Sequence, residues 1–255
     1  MAEATVVIPC YQEERRLQSE ALLALAATDG MQLLIVDDGS TDRTPDVVAH
    51  LAETSDSIEV LTLARNSGKA EAVRAGLTRA IAGGASIVGY YDADLSTPPA
   101  ELLRLIDHLV TRPELEVVMA ARVALLGRRI ERRARRHYLG RVFATFASLS
   151  LDIPVYDTQC GAKAMRVSPT LEAALAKPFR SRWSFDVELL ARLLFPAPGV
   201  APTPLESIAE VPLREWRDVS GSKLGPTAMA RAAVELAQVA REARRSPSWR
   251  RTHGR

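Results

Sequence analysis

The chain has 255 residues, of which 47% are apolar and 25% are charged, and its formal net charge is +2. These totals fit one globular α/β domain with a sizeable core and give no sign of a nucleic-acid partner. The two cysteines, Cys10 and Cys160, stand far apart. Their spacing argues against a disulfide scaffold or a cysteine-ligated zinc site, and it favours a reducing compartment.

No stretch of the sequence reaches the roughly 18 consecutive apolar residues of a membrane-spanning helix. The first residues include the acidic Glu3 and lead directly into a strand-like run, which differs from a secretion signal. We therefore expect a cytoplasmic protein.

The first half of the chain alternates apolar runs with helical periodicity. Strands are predicted at 4–9, 31–38, 58–63, 85–92 and 115–121, and helices at 13–27, 43–53, 67–82 and 98–112. The strands are rich in Val, Ile and Leu without strict alternation, as expected when helices cover both faces of a sheet. This order predicts an α/β fold with a doubly wound, mostly parallel sheet.

The second half departs from that order. Residues 127–151 have helical character, basic at first and apolar later, and residues 225–244 form an amphipathic helix. Shorter elements are predicted between them: a strand at 162–167, helices at 169–177 and 184–195, and a strand at 206–213. We assign residues 1–224 to one domain. We expect the basic tail, 245–255, to be disordered because it lacks an apolar period.

Polar residues stand at the ends of three predicted strands: "CYQEE" after the first, "DDGSTD" at the second and "DADLS" at the fourth. In open α/β sheets, ligands bind beyond the carboxyl ends of the strands. Asp38 and Asp92 should therefore approach one crevice from different strands. The alternative for "DDGSTD" is a plain turn with helix capping, since Asp, Gly and Ser are turn formers.

Asp92 and Asp94 are two residues apart, so a strand end would point both side chains the same way. A divalent cation that also binds phosphate oxygens would remove their repulsion, and Mg²⁺ or Mn²⁺ suits such a site. Two alternatives stay open. One is an ion pair with a neighbouring arginine, and the other is an aspartate-nucleophile phosphatase, whose motif normally follows the first strand. We interpret Tyr90 and Tyr91 as packing within the sheet.

Four segments in this order and spacing resemble the family 2 glycosyltransferases, which have the GT-A fold: "VVIPCYQEE", "IVDDGSTD", "RNSGKAEAVRAG" and "YYDADLSTPP". Three later segments are similar to the polyprenyl-phosphate sugar synthases: "DTQCGAKAMR", "RWSFDVELL" and "EVPLREWRDVSGSKL". Among these, the dolichyl-phosphate glucosyltransferases come first and the mannosyl-phosphate synthases second. The resemblance covers about residues 4–224, and it departs from the family pattern at Ala70, where glycine is common.

The resemblance implies roles for individual positions. Nucleotide-sugar contacts fall to Pro9, Tyr11, Glu13, Asp38, Lys69, Asp92, Ala93 and Asp94. The ligands of a Mg²⁺ or Mn²⁺ cofactor fall to Asp92, Asp94 and Ser96, the last standing where relatives often have Gln. Arg122, Arg136 and Lys223 are implied to bind the donor and acceptor phosphates. Lys223 lies in a loop expected to close over the site.

The implied reaction moves a hexose from a nucleotide-diphosphate sugar to polyprenyl phosphate. UDP-glucose or a similar UDP-sugar is the expected donor, with GDP-mannose as the alternative. The cation would neutralise the leaving diphosphate, and the sugar would pass through an oxocarbenium-like state. Because a lipid monophosphate is already anionic, it can attack without a dedicated general base, and we expect inversion.

The candidate catalytic residues are Asp92, Asp94, Arg122 and Asp186. Asp186 and Glu188, in "FDVELL", are the best remaining carboxylates for proton transfer. The alternative for both is structural pairing with Arg182 or Arg192.

The basic and then apolar segment 127–151 fits helices lying in a membrane interface, with arginines near anionic headgroups. The alternative is a solvated helix followed by a core helix. We expect peripheral association with the cytoplasmic face of a membrane, or a membrane-anchored partner. Two other functions stay open: a soluble transferase with a small acceptor, and a non-catalytic subunit that binds sugar nucleotides.

Overall fold

A computed structural model describes residues 4–131, 134–182, 184–218 and 226–253 of the chain. In the segments 134–141, 226–232 and 251–253 the description covers the backbone alone.

The fold alternates strands and helices through its first half, as predicted. The strands formed by the described residues are β1 (Ala4–Cys10), β2 (Met31–Asp37), β3 (Ile58–Thr62), β4 (Ile87–Tyr91), β5 (Val117–Ala121), β6 (Arg129–Glu131), β7 (Ala162–Arg166), β8 (Ile208–Pro212) and β9 (Glu215–Arg217). The helices are α1 (Ser19–Ala26), α2 (Thr44–Thr54), α3 (Lys69–Ala82), α4 (Pro99–Thr111), α5 (Ala134–Leu151), α6 (Pro169–Leu175), α7 (Phe185–Leu194), α8 (Pro226–Ala243) and α9 (Pro247–His253).

Seven strands form one sheet in the order β3-β2-β1-β4-β7-β5-β8. All neighbours are parallel except β7, which runs antiparallel to both β4 and β5. The doubly wound, mostly parallel sheet is therefore confirmed, with one reversed strand between β4 and β5. A second, two-stranded sheet pairs β6 with β9 in parallel.

The reversed strand β7 lies very close to β4. Tyr90 pairs with Lys163 across the two strands, and Gly89 pairs with Ala164. A Cβ atom on Gly89 would come within 2.4 Å of the Lys163 carbonyl oxygen. Glycine at position 89 therefore permits the strand contact that fixes this register.

Two apolar clusters cover the two faces of the main sheet. On one face, α1, α2 and α4 contribute buried side chains such as Leu22, Leu51 and Leu105. On the other face, α3, α6 and α7 contribute side chains that include Val73 and Leu190. Burial on both faces explains why the strands lack strict apolar alternation. Among the described helices, none has the length and apolar character needed to cross a bilayer.

Two of the predicted helices begin at least six residues later than expected. The helix predicted at 13–27 begins at Ser19, because the Glu13 amide donates to Thr44 Oγ1 (2.8 Å) and ties the preceding turn to the next loop. The helix predicted at 127–151 begins at Ala134, since Arg129–Glu131 forms β6 instead. Pairing with a distant strand overrides local helical character there.

The prediction of disorder for 245–255 is wrong over most of that segment. Residues Pro247–His253 form α9, and the Trp249 ring packs edge-on against Phe195, with the ring centroids 4.7 Å apart. The Ser246 hydroxyl donates to the Pro196 carbonyl (2.9 Å). One partly buried indole and this hydrogen bond anchor a segment that lacks an apolar period.

Candidate functional site

The loops after β1 and β2 are joined by hydrogen bonds at the carboxyl edge of the sheet. The Gln12 amide donates to Ser40 Oγ (3.1 Å), and the Glu13 amide donates to Thr44 Oγ1 (2.8 Å). Tyr11, in the loop after β1, is 44% exposed. The two loops thus form one rigid rim that presents an aromatic ring to solvent.

The Glu13 carboxyl group lies buried beneath that rim. Its Oε1 contacts the Arg16 guanidinium, while Oε2 is buried and accepts no hydrogen bond from the residues that the structure describes. Burial raises the pKa of Glu13, and the negative charge of Asp94 adds to the rise. Glu13 therefore belongs to the same electrostatic environment as the Asp-x-Asp pair.

Asp38 organises the start of α3. Its Oδ1 accepts the Ser67 amide and its Oδ2 accepts the Gly68 amide, both at 2.7 Å. Its own amide donates to the Cys10 carbonyl (2.9 Å), which links β2 to β1. Both carboxylate oxygens thus hold the turn that places Lys69 at the first position of α3. The predicted contact between Asp38 and a nucleotide stays a prediction.

Lys69 and Asp92 form an ion pair between Nζ and Oδ1 at the centre of the site. Burial alone would lower the pKa of Lys69, but the carboxylates of Asp92 and Asp186 raise it. Asp92 is also confined from behind, because a Cβ atom on Gly161 would lie 1.9 Å from Asp92 Oδ2. The alternative to the metal site was an ion pair with a neighbouring arginine; the structure has an ion pair here, but its cation is Lys69.

The Asp-x-Asp pair fits a hard divalent cation that shares its ligands with a substrate. Asp94 Oδ1 accepts the Ser96 amide (3.0 Å), and Oδ2 takes no hydrogen bond from the described residues. Within the described ranges there is no group of three His, Cys, Asp or Glu side chains suited to a metal. Mg²⁺ commonly binds through one or two carboxylates plus substrate phosphates, so two oxygen donors at an open strand end suit it.

Arg122, just beyond β5, is held by Asp157. Its Nε and Nη2 donate to the two carboxylate oxygens at 2.7 and 2.8 Å, and its amide donates at 3.0 Å. The guanidinium carbon lies 5.4 Å from the centroid of the Trp216 ring. Burial would lower the pKa of Arg122, but Asp157 outweighs burial and raises it further above its usual range. Nη1 lies outside this bidentate pair.

Asp186 and Glu188 have different partners at the start of α7. Glu188 contacts Arg192 (2.6 Å), as the structural alternative predicted. Asp186 pairs with neither arginine; its Oδ1 accepts a hydrogen bond from Lys163 Nζ at 2.7 Å and another from the Tyr90 hydroxyl. Tyr90 therefore does more than pack within the sheet.

The structure brings most of the predicted residues to one edge of the main sheet. At the ends of β1, β2, β4 and β5 or at the starts of α3 and α7 lie Pro9, Tyr11, Glu13, Asp38, Lys69, Asp92, Ala93, Asp94, Ser96, Arg122 and Asp186. Arg136 falls in α5, where only the backbone is described, and Lys223 lies outside the described residues.

Sequence reasoning missed three residues of this site: Asp157, Gly161 and Lys163. All three belong to "DTQCGAKAMR", which follows a turn and enters β7. The available signal was the lysine inside the short apolar run "AKAM", because a charged residue in a buried strand requires a partner.

The chain is similar to known proteins over most of its length. The model of glycosyl transferase family 2 matches residues 5–172. Dolichyl-phosphate beta-glucosyltransferase from Mus musculus is 34% identical over 248 residues, which cover 88% of this chain and 70% of that protein. Dolichyl-phosphate beta-glucosyltransferase ALG5C from Trichomonas vaginalis is 30% identical over 252 residues, covering 92% and 70%.

Solved structures share the fold. Glucosyl-3-phosphoglycerate synthase from Mycobacterium tuberculosis, in complex with Mn²⁺, UDP and glucosyl-3-phosphoglycerate, superposes with a TM-score of 0.68 at 20% identity and covers 95% of this chain and 80% of its own. The mannosyltransferase PcManGT from Pyrobaculum calidifontis, with GDP-Man and Mn²⁺, gives 0.53 at 17% identity, covering 99% and 76%. The predicted GT-A fold is confirmed.

We predict that Gly161→Ala displaces Asp92 without changing any charge. The new Cβ atom would overlap the carboxylate, which would have to leave Lys69. With UDP and Mn²⁺ as the probe, which are ligands of the Mycobacterium tuberculosis synthase, the affinity measured by isothermal titration calorimetry should fall about tenfold, the loss of one charge-assisted contact. As a control, Gly83→Ala at the end of α3 should bind normally. An unchanged affinity in Gly161→Ala would contradict the close fit around Asp92.

Proposed function

The chain belongs to glycosyl transferase family 2, and on that premise we propose that it transfers glucose from UDP-glucose to dolichyl phosphate or another polyprenyl phosphate. The observation that carries this proposal is the edge of the sheet where Asp92, anchored by Lys69, and Asp94 follow β4, whose neighbour β1 leads into the loop that carries Glu13. The names of the relatives that align with most of the chain support glucose and a lipid phosphate as substrates.

The donor nucleotide would lie on the rim formed by the β1 and β2 loops. The exposed ring of Tyr11 offers a flat apolar surface for a base. Asp38 fixes the neighbouring turn through Ser67 and Gly68, so the rim is formed before the donor arrives. A preformed site avoids the entropy cost of ordering loops on binding.

The diphosphate would face the Asp-x-Asp pair. Asp92 and Asp94 would hold Mg²⁺ or Mn²⁺, which when bound neutralises negative charge on the leaving diphosphate. Lys69 keeps the Asp92 carboxylate in place. The Ser96 amide orients Asp94, and the Ser96 carbonyl accepts the Arg217 amide (2.9 Å), which ties this loop to β9.

The acceptor phosphate would be oriented by Arg122. Its bidentate pair with Asp157 restrains the guanidinium and leaves Nη1 for an anion. A phosphate monoester is already anionic near neutral pH, so direct attack on the anomeric carbon needs no proton transfer, and inversion follows from a single displacement. Asp186 is engaged by Lys163 and Tyr90, which agrees with a reaction that uses no general base.

Exposed apolar side chains support contact with a membrane surface. Leu125 and Leu126 are exposed just before the exposed Arg128 and Arg129. On α5, a second group of exposed apolar side chains follows helical spacing: Val142, Phe146 and Leu149. Apolar side chains beside arginines are suited to an interface with anionic headgroups. Peripheral attachment would bring the site to a lipid-linked acceptor.

The transferase proposal predicts that label from UDP-[¹⁴C]glucose enters organic-extractable lipid when dolichyl phosphate and Mg²⁺ or Mn²⁺ are present. UDP-linked and GDP-linked sugars are compared in one panel, with 3-phosphoglycerate as a small-acceptor control. If sugar is transferred from GDP-mannose alone, the donor is GDP-mannose and not UDP-glucose. If label is found solely in a water-soluble product, the acceptor is a small molecule and not a lipid phosphate. UDP binding without any transfer would indicate a non-catalytic subunit.

The metal proposal predicts that Asp94→Ala lowers kcat by roughly 10²–10³-fold, the usual effect of removing one group that stabilises developing charge. EDTA should abolish transfer by the wild-type protein. The matched control is Asp107→Ala, an exposed aspartate on α4, which should leave kcat unchanged. Retained activity in Asp94→Ala would refute the metal role.

The membrane proposal predicts that the protein floats with liposomes containing anionic lipid and that salt releases it, because ionic screening weakens the arginine contacts. The variant Leu125→Ser/Leu126→Ser and the variant Phe146→Ser/Leu149→Ser should each float less. Val234→Ser removes an exposed apolar side chain from α8 and serves as the control. If the wild-type protein floats with neither these liposomes nor native membranes, the attachment is wrong.

A further inference from the structure

Lys163 is a buried lysine with no role in the reaction derived above. It lies in β7 between two alanines, is 2% exposed and stands opposite Tyr90 in the strand register. Transfer of an ammonium group from water to a protein interior is costly unless the charge is paired and hydrogen-bonded. The contacts of Lys163 must therefore account for its presence in the centre of the sheet.

Those contacts converge on Asp186. Lys163 Nζ donates to Asp186 Oδ1 (2.7 Å) and to the Cys160 carbonyl (2.8 Å), and it lies 5.0 Å from the centroid of the Tyr90 ring. The Tyr90 hydroxyl donates to the same Asp186 oxygen. Asp186 is itself 7% exposed. Lys163 and Asp186 thus form a buried ion pair that links β7 to the first turn of α7.

The pair lies next to the ion pair of the active site. Phe185 precedes Asp186, and Lys69 Nζ lies 5.9 Å from the centroid of the Phe185 ring. Three carboxylates act on Lys69: Asp92 most strongly, then Asp186 and Asp94. Lys69 contacts Asp92, and Asp186 contacts Lys163. The charges therefore alternate in the order Asp92, Lys69, Asp186, Lys163.

We propose that Lys163 is a positioning residue, which neutralises Asp186 so that Lys69 remains bound to Asp92. Without the Lys163 ammonium, Asp186 would be an uncompensated buried anion that competes with Asp92 for Lys69. The Asp92 carboxylate would then lose the partner that orients it toward the donor diphosphate. In this role Asp186 accepts no proton from a substrate. The inference deepens the proposed transferase function and rests on it.

A double-mutant cycle tests this arrangement with Lys163→Met, Asp186→Asn and the combined variant. In Lys163→Met, kcat/KM and UDP–Mn²⁺ affinity should each fall at least about tenfold, since breaking one partner of a buried pair leaves the other uncompensated. In the combined variant both values should recover to within about fivefold of wild type, a coupling expected only for side chains in contact. Calorimetric binding of UDP with Mn²⁺ supplies the readout that is independent of transfer.

The control is the Glu71–Arg74 pair on α3, whose side chains are in contact at 2.6 Å and partly buried. Arg74→Met should keep UDP–Mn²⁺ affinity near that of wild type, even if its melting temperature falls. This comparison separates loss of an ion pair in general from loss of the one beside Lys69.

Two outcomes would overturn the inference. A combined variant that folds but stays as inactive as the worse single variant would mean that one side chain acts on a substrate. Wild-type values in Lys163→Met would mean that no competition for Lys69 exists. If Lys163→Met fails to fold, the combined variant alone tests the inference. An inactive combined variant would then contradict it. If the wild-type protein transfers no sugar, the proposed function fails, while the affinity ratios still test the positioning role.

Discussion

The site depends on the antiparallel insertion of β7 between β4 and β5. Its register with β4 places Lys163 opposite Tyr90, and its start places Gly161 against Asp92. The segment that leads into β7 thus confines the Asp92 carboxylate at the end of β4, and β7 itself places the Lys163 ammonium in the buried interior. The close strand contact at Gly89 leaves no room for a slip of this register, which would move every side chain to the other face.

Each charged group at the edge of the sheet is restrained by another charged or backbone group. Lys69 holds Asp92, Asp157 holds Arg122, and Asp38 holds the turn before Lys69. Glu210 continues the series, because its carboxylate accepts the amides of the loop that carries Asp157. Charges fixed in advance need no reorganisation when a charged substrate binds, which is the basis of electrostatic preorganisation in catalysis.

Much of the fold follows from local patterns. Apart from the start of α1, the strands and helices of the first half were predicted to within a few residues, because burial on both faces makes the strand runs almost wholly apolar. The failures share one cause. Arg129–Glu131 pairs with a strand far along the chain, Glu13 is bonded to Thr44, and Trp249 packs on Phe195. In each case a distant partner overrides the local preference, and a sequence window does not contain that partner.

The sequence by itself determined the family, the polar strand ends and the Asp-x-Asp pair, since these are ordered motifs read along the chain. Only the tertiary structure decided which charges pair. Asp186 was predicted as a catalytic carboxylate, with pairing to Arg182 or Arg192 as the alternative, yet its partners are Lys163 and Tyr90, which lie 23 and 96 residues away. The physical reason is that a buried charge is paired by whatever strand register and helix packing bring within hydrogen-bonding distance, and both are properties of the folded sheet.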